Sequence, residues 1–307
     1  MLSRLFLGFF TLQVSQGEEL EPSIVLSCDE QWVISLALSP DGKTLVSGHD
    51  DGKVQKWSTG DLKQAPVNVM KFEKPATAIS FDPDGQSVLL GTWDGNLVRA
   101  GLAKGLVQKN FEGHSETIIT LRYDSSGDFF ASGSADDTMI VWDAKTGEDL
   151  FTMHQGNEYD VTALAFSPVG ESIVTGDGEN QLKLWDAGSG ESVRTLVGHD
   201  QPVSAVMYDG KGRIVSGSWD KTIRVWGEGG RVMKGHKGEI TGLSGDAGGK
   251  LIYSASEDRT VKIWDGETGK LLKSLSGSPE SIRCFAVSRD GKVVYAGSKG
   301  VILVWRL

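Results

Sequence analysis

The sequence is poor in the residues that cross-link small proteins or hold cofactors. It has only two cysteines, Cys28 and Cys284, in 307 residues, too few for a disulfide framework or a cysteine zinc site. It contains no glycine-rich phosphate loop with a following lysine, no histidine pair at metal-binding spacing, no nucleophile elbow and no Asn-X-Ser/Thr acceptor. We therefore expect no cofactor, no metal ion, no catalytic residue and no N-glycosylation.

Positive charge is also scarce. Lys and Arg together number 31 against 41 Asp and Glu, which gives a formal net charge of −10. Non-specific binding to nucleic acid requires cations that displace counterions from the phosphates, so the sequence disfavours a nucleic-acid ligand. An acidic surface instead attracts a basic partner.

Long apolar segments are absent, and no transmembrane span is predicted. A short apolar run, LFLGFFTL at residues 5–12, follows Arg4, and the small residues Ser15 and Gly17 come after it. This run is too short to span a bilayer, but the segment has the outline of a secretory signal peptide. Two interpretations stay open for residues 1–17: a signal peptide of an exported protein, or an apolar tail against the fold of an intracellular one.

A tryptophan at the end of a short apolar run recurs about every 40 residues along the chain. Self-similarity at this period is typical of solenoids, propellers and arrays. The repeat positions are Trp57, Trp142, Trp185, Trp226, Trp264 and Trp305, with Ala100 in the one slot that lacks the ring.

Turn signals divide each repeat into short segments of alternating apolar residues, which is the pattern of strands. One turn type ends in glycine, as in SPDG at Gly42 and DPDG at Gly85, and it occurs seven times. Another turn contains an acid six residues before the Trp slot, as in Asp51-Gly52, which favours a tight hairpin. Each repeat thus predicts one blade of four antiparallel strands. The chain is then an all-β, seven-bladed β-propeller, a single domain over residues 18–307.

The seventh repeat is one strand short, because the chain ends at Leu307, two residues after Trp305. An unpaired strand edge promotes aggregation, so another segment should cover it. The segment SIVLS at residues 23–27 has the form of a strand. We expect Ile24, Val25 and Leu26 to pair with the strand of Trp305 and close the ring.

Several motifs recur in the repeats. A Trp-Asp pair stands at Trp142, Trp185 and Trp264, a Gly-His pair ends at His114, His199 and His236, and two stretches read SGSADDTMIVWD and SGSWDKTIRVW. In these motifs the sequence from residue 23 to residue 307 resembles the WD40 repeat family. The resemblance implies a propeller that acts as an adaptor for protein partners, although such a fold serves many unrelated functions.

Three repeats carry His, Ser, Asp and the repeat Trp at matching positions. Ser, His and Asp together are typical of acyl-transfer sites, but an enzyme does not usually build three copies of one nucleophile. In the WD40 family the matching residues form a hydrogen-bond chain within the blade, and the resemblance implies the same here. The sets are His114, Ser132, Asp136 and Trp142; His199, Ser216, Asp220 and Trp226; and His236, Ser254, Asp258 and Trp264. His49, beside Asp50 and Asp51, is expected in a solvated loop.

Aromatic residues outside the repeat Trp slot indicate a binding surface. In the WD40 family the residue before the turn acid, and the residues that open the innermost strand, lie on the top face. The resemblance places eight candidate partner-binding residues there: Trp32, Asp50, Trp93, Tyr159, Asp160, Trp219, Glu239 and Glu257. Exposed rings are enriched at interfaces, and carboxylates beside them favour an Arg or Lys held by cation–π contact. Alternatively, the rings plug the channel.

The leading interpretation is a non-catalytic scaffold that binds a protein or a basic peptide, alone or as a subunit of a larger complex. A second interpretation is a reader of a modified peptide such as methyl-lysine, which clustering of Trp93, Tyr159 and Trp219 in one pocket would favour. A third is a propeller hydrolase or lyase, which would need unpaired His and carboxylate groups in the channel.

Overall fold

The computed structural model describes residues 18–154, 159–246 and 248–307. All regular secondary structure in these ranges is β-strand. None of the described segments is a helix of a length and apolarity that would cross a membrane. The segment 1–17, for which the sequence leaves a signal peptide and an apolar tail open, lies outside the described residues.

Most strands are short, as the spacing of the turn signals predicts. In the described ranges they are β1 (Glu18–Leu20), β2 (Ile24–Leu38), β3 (Thr44–His49), β4 (Lys53–Ser58), β5 (Val67–Lys71), β6 (Ala76–Phe81), β7 (Ser87–Thr92), β8 (Leu97–Gly101), β9 (Leu106–Phe111), β10 (Ile118–Tyr123), β11 (Phe129–Ser134), β12 (Thr138–Asp143), β13 (Asp149–His154), β14 (Val161–Phe166), β15 (Ser172–Asp177), β16 (Gln181–Asp186), β17 (Ser192–Val197), β18 (Val203–Tyr208), β19 (Ile214–Ser218), β20 (Thr222–Val225), β21 (Arg231–Lys234), β22 (Ile240–Gly245), β23 (Leu251–Ser256), β24 (Val261–Asp265), β25 (Leu271–Leu275), β26 (Cys284–Val287) and β27 (Val293–Arg306).

The strands form six hydrogen-bonded sheets rather than the seven blades that the sequence predicts. Four sheets have four antiparallel strands in chain order: β6–β9, β10–β13, β14–β17 and β18–β21. A fifth has the order β1-β25-β24-β23-β22, and the sixth has the order β26-β27-β2-β3-β4-β5. The all-β propeller with four-stranded blades is therefore confirmed, whereas the number of sheets is one lower than expected because β2 and β27 run through the largest sheet.

The turns between the first two strands of each repeat have the predicted backbone. All seven glycines of this turn type have φ between 64° and 80°, a conformation that only glycine adopts without strain. They are Gly42, Gly85, Gly127, Gly170, Gly212, Gly249 and Gly291.

Apolar side chains between neighbouring sheets form the core. Trp142, 1% exposed, packs with Phe130 of its own sheet against Leu89, Leu97 and Phe111 of the preceding one. The ring centroids of Phe130 and Trp142 are 5.9 Å apart and nearly parallel. Contacts of this kind recur between neighbouring sheets, so the core is a series of interfaces around a central channel.

The innermost strands are joined to one another by side-chain hydrogen bonds near the channel. Thr77 Oγ1 donates to the carbonyl of Ile118, the first residue of the next innermost strand, at 2.6 Å. On the adjoining strand, a Cβ at Gly91 would lie 2.5 Å from the Ile118 side chain, so the close approach requires glycine. Equivalent bonds join Ser35 to Ala76, Thr162 to Val203, Ser204 to Ile240, Thr241 to Ile282, and Cys284 to Val33.

The first and last parts of the chain pair as predicted. Ile24, Val25 and Leu26 lie opposite Val304, Leu303 and Ile302 in an antiparallel ladder. The same strand then continues as the innermost strand that pairs with β3, after a turn at Asp29 and Glu30.

An unpredicted strand precedes this closure. Residues 18–20 pair in parallel with β25, on the outer edge of the fifth sheet. Glu18 forms an ion pair with Lys273 at 3.1 Å, and the carbonyl of Leu20 accepts the indole N–H of Trp305 at 3.2 Å. In other repeats a Ser or Thr ten residues before the Trp accepts this bond, as Ser132 does for Trp142. Tyr295 stands at that place before Trp305, so the N-terminal strand supplies the missing acceptor.

Replacement of Leu26 by alanine should lower the free energy of unfolding by about 2–5 kcal/mol, the usual cost of a buried Leu-to-Ala cavity. Leu26 is 5% exposed in the closing strand, whereas its neighbour Val25 is 55% exposed. Val25→Ala is the matched control and should cost about 0.5 kcal/mol or less. Urea denaturation of both variants checks this, and equal losses would show that the closing strand does not seal the core.

Candidate functional site

The three His-Ser-Asp-Trp sets are each joined by hydrogen bonds within one sheet. In the first, His114 Nδ1 lies 2.9 Å from Asp136 Oδ2 and Nε2 lies 2.7 Å from Ser132 Oγ. The indole of Trp142 donates to the same Ser132 oxygen at 2.8 Å. The sets of His199 and His236 repeat this geometry, with His–Asp distances of 2.7 and 2.8 Å and His–Ser distances of 2.7 Å.

The protonation state of these histidines follows from the chain of donors. With a neutral imidazole, Nδ1–H donates to the carboxylate and Nε2 accepts the serine O–H. Burial lowers the pKa of His199, although Asp220 opposes the shift. Burial raises the pKa of the Asp258 carboxyl, but the hydrogen bond from His236 and other donors outweigh it and hold this pKa well below its usual value. Each set therefore pairs a neutral imidazole with a carboxylate.

The serines of these sets cannot reach a substrate. Ser132, Ser216 and Ser254 are each 0% exposed, and each serine oxygen also accepts the indole N–H of the repeat Trp. A nucleophile has to contact the group it attacks. The geometry therefore provides internal hydrogen bonding for these buried polar groups.

His49 belongs to a further buried set, made of His, Ser and Trp, so its expected placement in a solvated loop was wrong. It is 1% exposed, and its Nε2 lies 2.9 Å from Ser47 Oγ, which accepts the indole N–H of Trp57. Here the histidine comes from the end of β3, two residues after the serine, rather than from a Gly-His pair. The signal was available in the sequence, because Ser47 stands ten residues before Trp57 as in the other repeats.

Backbone bonds at equivalent places put six of the eight predicted partner-binding residues at one end of the innermost strands. The other two, Tyr159 and Asp160, lie directly before the innermost strand β14. The N–H of Trp93 donates to the carbonyl of Pro75, directly before β6, at 3.1 Å. The N–H of Trp219 bonds in the same way to Pro202 at 3.0 Å. The matching pairs are Asp50 with Trp32 and Glu257 with Glu239. We call this end of the propeller the upper rim.

Three rings of the upper rim are open to solvent. Trp93 is 61% exposed, Trp219 44% and Tyr159 40%. Asp160, beside Tyr159, is exposed as well. None of the ring–ring contacts among residues 18–154, 159–246 and 248–307 involves these three rings, and none of the three lines the cavities of the channel.

The fourth ring, Trp32, already holds a cation of the same chain. The guanidinium carbon of Arg283 lies 5.2 Å from the Trp32 ring centroid, and Arg283 Nη1 lies 2.7 Å from Glu257 Oε1. Arg283 also lies near a second carboxyl group, that of Glu239. Burial and the negative charge of Glu257 raise the pKa of Glu239, and Arg283 opposes this rise. Trp32 and Glu257 thus perform internally the cation–π and ionic capture that the sequence predicts for a partner's Arg or Lys.

The sequence-based prediction did not include Arg283, although its position in the repeat is unusual for a charged residue. Arg283 follows Ile282, the first residue of its innermost segment, and the corresponding residue elsewhere is Ile, Thr or Ser, as at Thr77 and Ser204. A charged residue at a position that is neutral in the other repeats indicates a contact that the other repeats do not make. Its two contacts, however, come from separate repeats and are visible only in the folded chain.

The parts of the chain that the structure describes contain no group of three or more His, Cys, Asp or Glu side chains arranged to hold a metal ion. The two thiols are buried or half-buried, and burial raises the pKa of Cys28 to about 12. Both cysteines are thus uncharged at neutral pH.

A family model described as WD domain, G-beta repeat matches six segments of the chain: 20–58, 105–143, 147–186, 190–227, 228–265 and 269–306. The repeat with Ala100 in the Trp slot falls between the first two. These matches cover well over half of the 307 residues.

Curated relatives carry the same kind of repeat. The chain is 25% identical over 312 residues to the F-box-like/WD repeat-containing protein TBL1X of Mus musculus, covering 92% of this chain and 58% of that protein. It is 31% identical over 289 residues to the nuclear distribution protein nudF of Aspergillus niger, covering 82% and 63%. A guanine nucleotide-binding protein subunit beta of Oryza sativa is 25% identical over 297 residues, covering 89% and 68%. The chain spans less than two thirds of the first two relatives.

Replacement of His199 by alanine should destabilise the protein by about 1–3 kcal/mol, because Asp220 and Ser216 lose a buried hydrogen-bond partner. His154→Ala is the control: His154 is exposed at the end of β13 and its loss should change stability by about 0.5 kcal/mol or less. Urea denaturation measures both. Unchanged stability in His199→Ala would contradict a structural role for the set.

Proposed function

The chain belongs to the WD40 repeat family, and we propose that it is a non-catalytic interaction scaffold whose upper rim binds a partner protein or basic peptide. The observation that carries this proposal is the exposure of Trp93 and Trp219, at 61% and 44%, at equivalent places on two sheets. Large exposed rings are costly in water and are enriched at binding hot spots. The scaffold acts alone or as a subunit of a larger complex.

Rigid support for the rings favours binding. The backbone of Trp93 is held from both sides, since its N–H donates to Pro75 and its carbonyl accepts from Thr117 Oγ1 at 2.8 Å. A ring on a fixed backbone loses little conformational entropy when a partner covers it. Exposure and rigidity together are what a preformed binding anchor requires.

The basic character of the partner is inferred from charge and from the Trp32 arrangement. The exposed carboxylates Asp94 and Asp160 follow directly after Trp93 and Tyr159. Within this chain, the guanidinium of Arg283 is already held by a ring, that of Trp32, and by a carboxylate, that of Glu257. A partner's Arg at Trp93 or Tyr159 would meet the same two groups.

Two competing functions have less support. Ser132, Ser216 and Ser254 are fully buried, which argues against a hydrolase built on the His-Ser-Asp sets. An aromatic cage for a modified peptide would need two or more rings around one cation. Trp93, Tyr159 and Trp219 lie next to strands of three different sheets and share no ring contact within the described ranges.

We also propose that residues 18–307 form a single domain of seven blades, two of them merged in the six-stranded sheet. In β2, residues 24–27 pair with β27 while residues 33–38 pair with β3, and the turn between them has φ of 58° at Asp29 and 81° at Glu30. Seven separate chain segments line the channel: 34–36, 77–79, 119–122, 162–164, 204–206, 241–243 and 283–285. A crystal structure with sevenfold pseudosymmetry would support this count, and six equivalent sectors would refute it.

The double replacement of Trp93 and Trp219 by alanine should weaken binding of the native partner by more than about 2 kcal/mol, the usual threshold of a hot spot. Affinity purification with quantitative mass spectrometry identifies partners that the wild type retains and the variant loses, and titration of the purified partner gives the Kd. Val169→Ala is the control, because Val169 is 74% exposed in a turn at the opposite end. Equal affinity of the double variant and the control would rule out the upper rim.

A further inference from the structure

The end of the channel opposite the upper rim contains an isolated cation. Arg122 is the fifth residue of β10 and lines both cavities of the channel, one of about 170 Å³ and one of about 690 Å³ at this lower mouth. The corresponding residues of the other channel-lining segments are small or uncharged: Ala37, Ser80, Ala165, Met207, Ser244 and Ala286. One guanidinium therefore projects into a space that the other segments leave open.

Arg122 has no ionic partner among the described residues. Its one hydrogen bond within the chain runs from Nη1 to the carbonyl of the adjacent Leu121, at 2.8 Å. Two half-buried arginines elsewhere do have carboxylate partners, Arg99 with Asp82 and Arg213 with Asp209. Arg122 is exposed to solvent within the channel, although the surrounding protein removes part of its hydration and so lowers its pKa. Because only one of its N–H donors is used within the chain, the others are available to a ligand.

The acids of the lower mouth are engaged by their own turns. Asp124 Oδ1 accepts the N–H of Gly127 at 2.9 Å, and its Oδ2 accepts the hydroxyl of Ser126 at 2.6 Å. Asp246 Oδ1 accepts the N–H of Leu251 at 2.6 Å. Neither carboxylate lies within ion-pair distance of Arg122 in the described structure. An anion that pairs with Arg122 would then come from outside the described residues.

We propose that the lower mouth binds a small oxyanion, a phosphate or a carboxylate, with Arg122 as its cationic ligand. A guanidinium presents parallel N–H donors that match either group bidentately. The cavity of about 690 Å³ lies within the usual range of small-molecule sites, about 300–1,000 Å³. Pro40 and Pro83 line its entrance, at the end of the innermost strands away from Trp93. This site is thus separate from the protein-binding upper rim.

Isothermal titration calorimetry of the full chain at low ionic strength, with inorganic phosphate and with succinate as probes, tests the site. Saturable binding of one molecule per chain is expected for at least one probe, and the probe that binds identifies the chemistry of the ligand. Arg122→Met should weaken this binding about tenfold or more, because a charge-assisted bidentate contact is lost. Arg122→Lys keeps the positive charge but not the paired N–H donors, so its affinity should lie between those of the wild type and Arg122→Met.

Arg289→Met is the matched control. Arg289 is exposed in the turn that corresponds to that of Pro40, on the same face but outside the lower-mouth cavity. The Arg289→Met substitution also removes one positive charge from this end of the protein, and it should leave the Kd of the probe unchanged. Thermal unfolding of each variant confirms that it is folded. Absence of saturable binding of both probes to the wild type, or equal Kd values for wild type and Arg122→Met, would overturn the proposal.

Discussion

The antiparallel pairing of residues 24–27 with residues 301–304 is the contact on which the rest of the structure depends. In a repeat architecture each sheet is stabilised mainly by its neighbours, so an open ring would leave two interfaces uncovered. The pairing covers both of these interfaces. The hydrogen bond from the Cys284 thiol to the carbonyl of Val33 joins the innermost strands across the same junction. The ends of the chain are thereby held by the same kinds of contact that join consecutive repeats.

Buried polar groups explain why the repeats are alike in some places and different in others. Each buried indole N–H needs an acceptor, and most repeats supply a Ser or Thr ten residues earlier. Trp185 uses Thr175, which keeps the hydroxyl without the histidine. Trp305 has Tyr295 at that place and uses the carbonyl of Leu20 instead. The N-terminal strand thus satisfies a group that its own repeat cannot, so an irregular repeat still has no unpaired indole.

The two ends of the channel have opposite character. The upper rim combines Trp93, Trp219 and Tyr159 with carboxylates, while the lower mouth has one guanidinium that no acid of the described chain neutralises. In a protein with a net charge of −10, a cation without an ion pair at the lower mouth is a local exception to the overall field. A basic partner above and a small anion below would each meet the complementary charge.

The sequence by itself determined the elements that repeat. The Trp spacing, the turn glycines and the alternating apolar residues fixed four-stranded blades, because hairpin geometry is set by local residues. The missing strand of the last repeat likewise led to the pairing of Ile24, Val25 and Leu26. Only the tertiary structure decided which residues from different repeats meet. The capture of Arg283 by Trp32 and Glu257, the strand at residues 18–20 and the isolation of Arg122 all depend on distances between segments far apart in the chain, which no local pattern encodes.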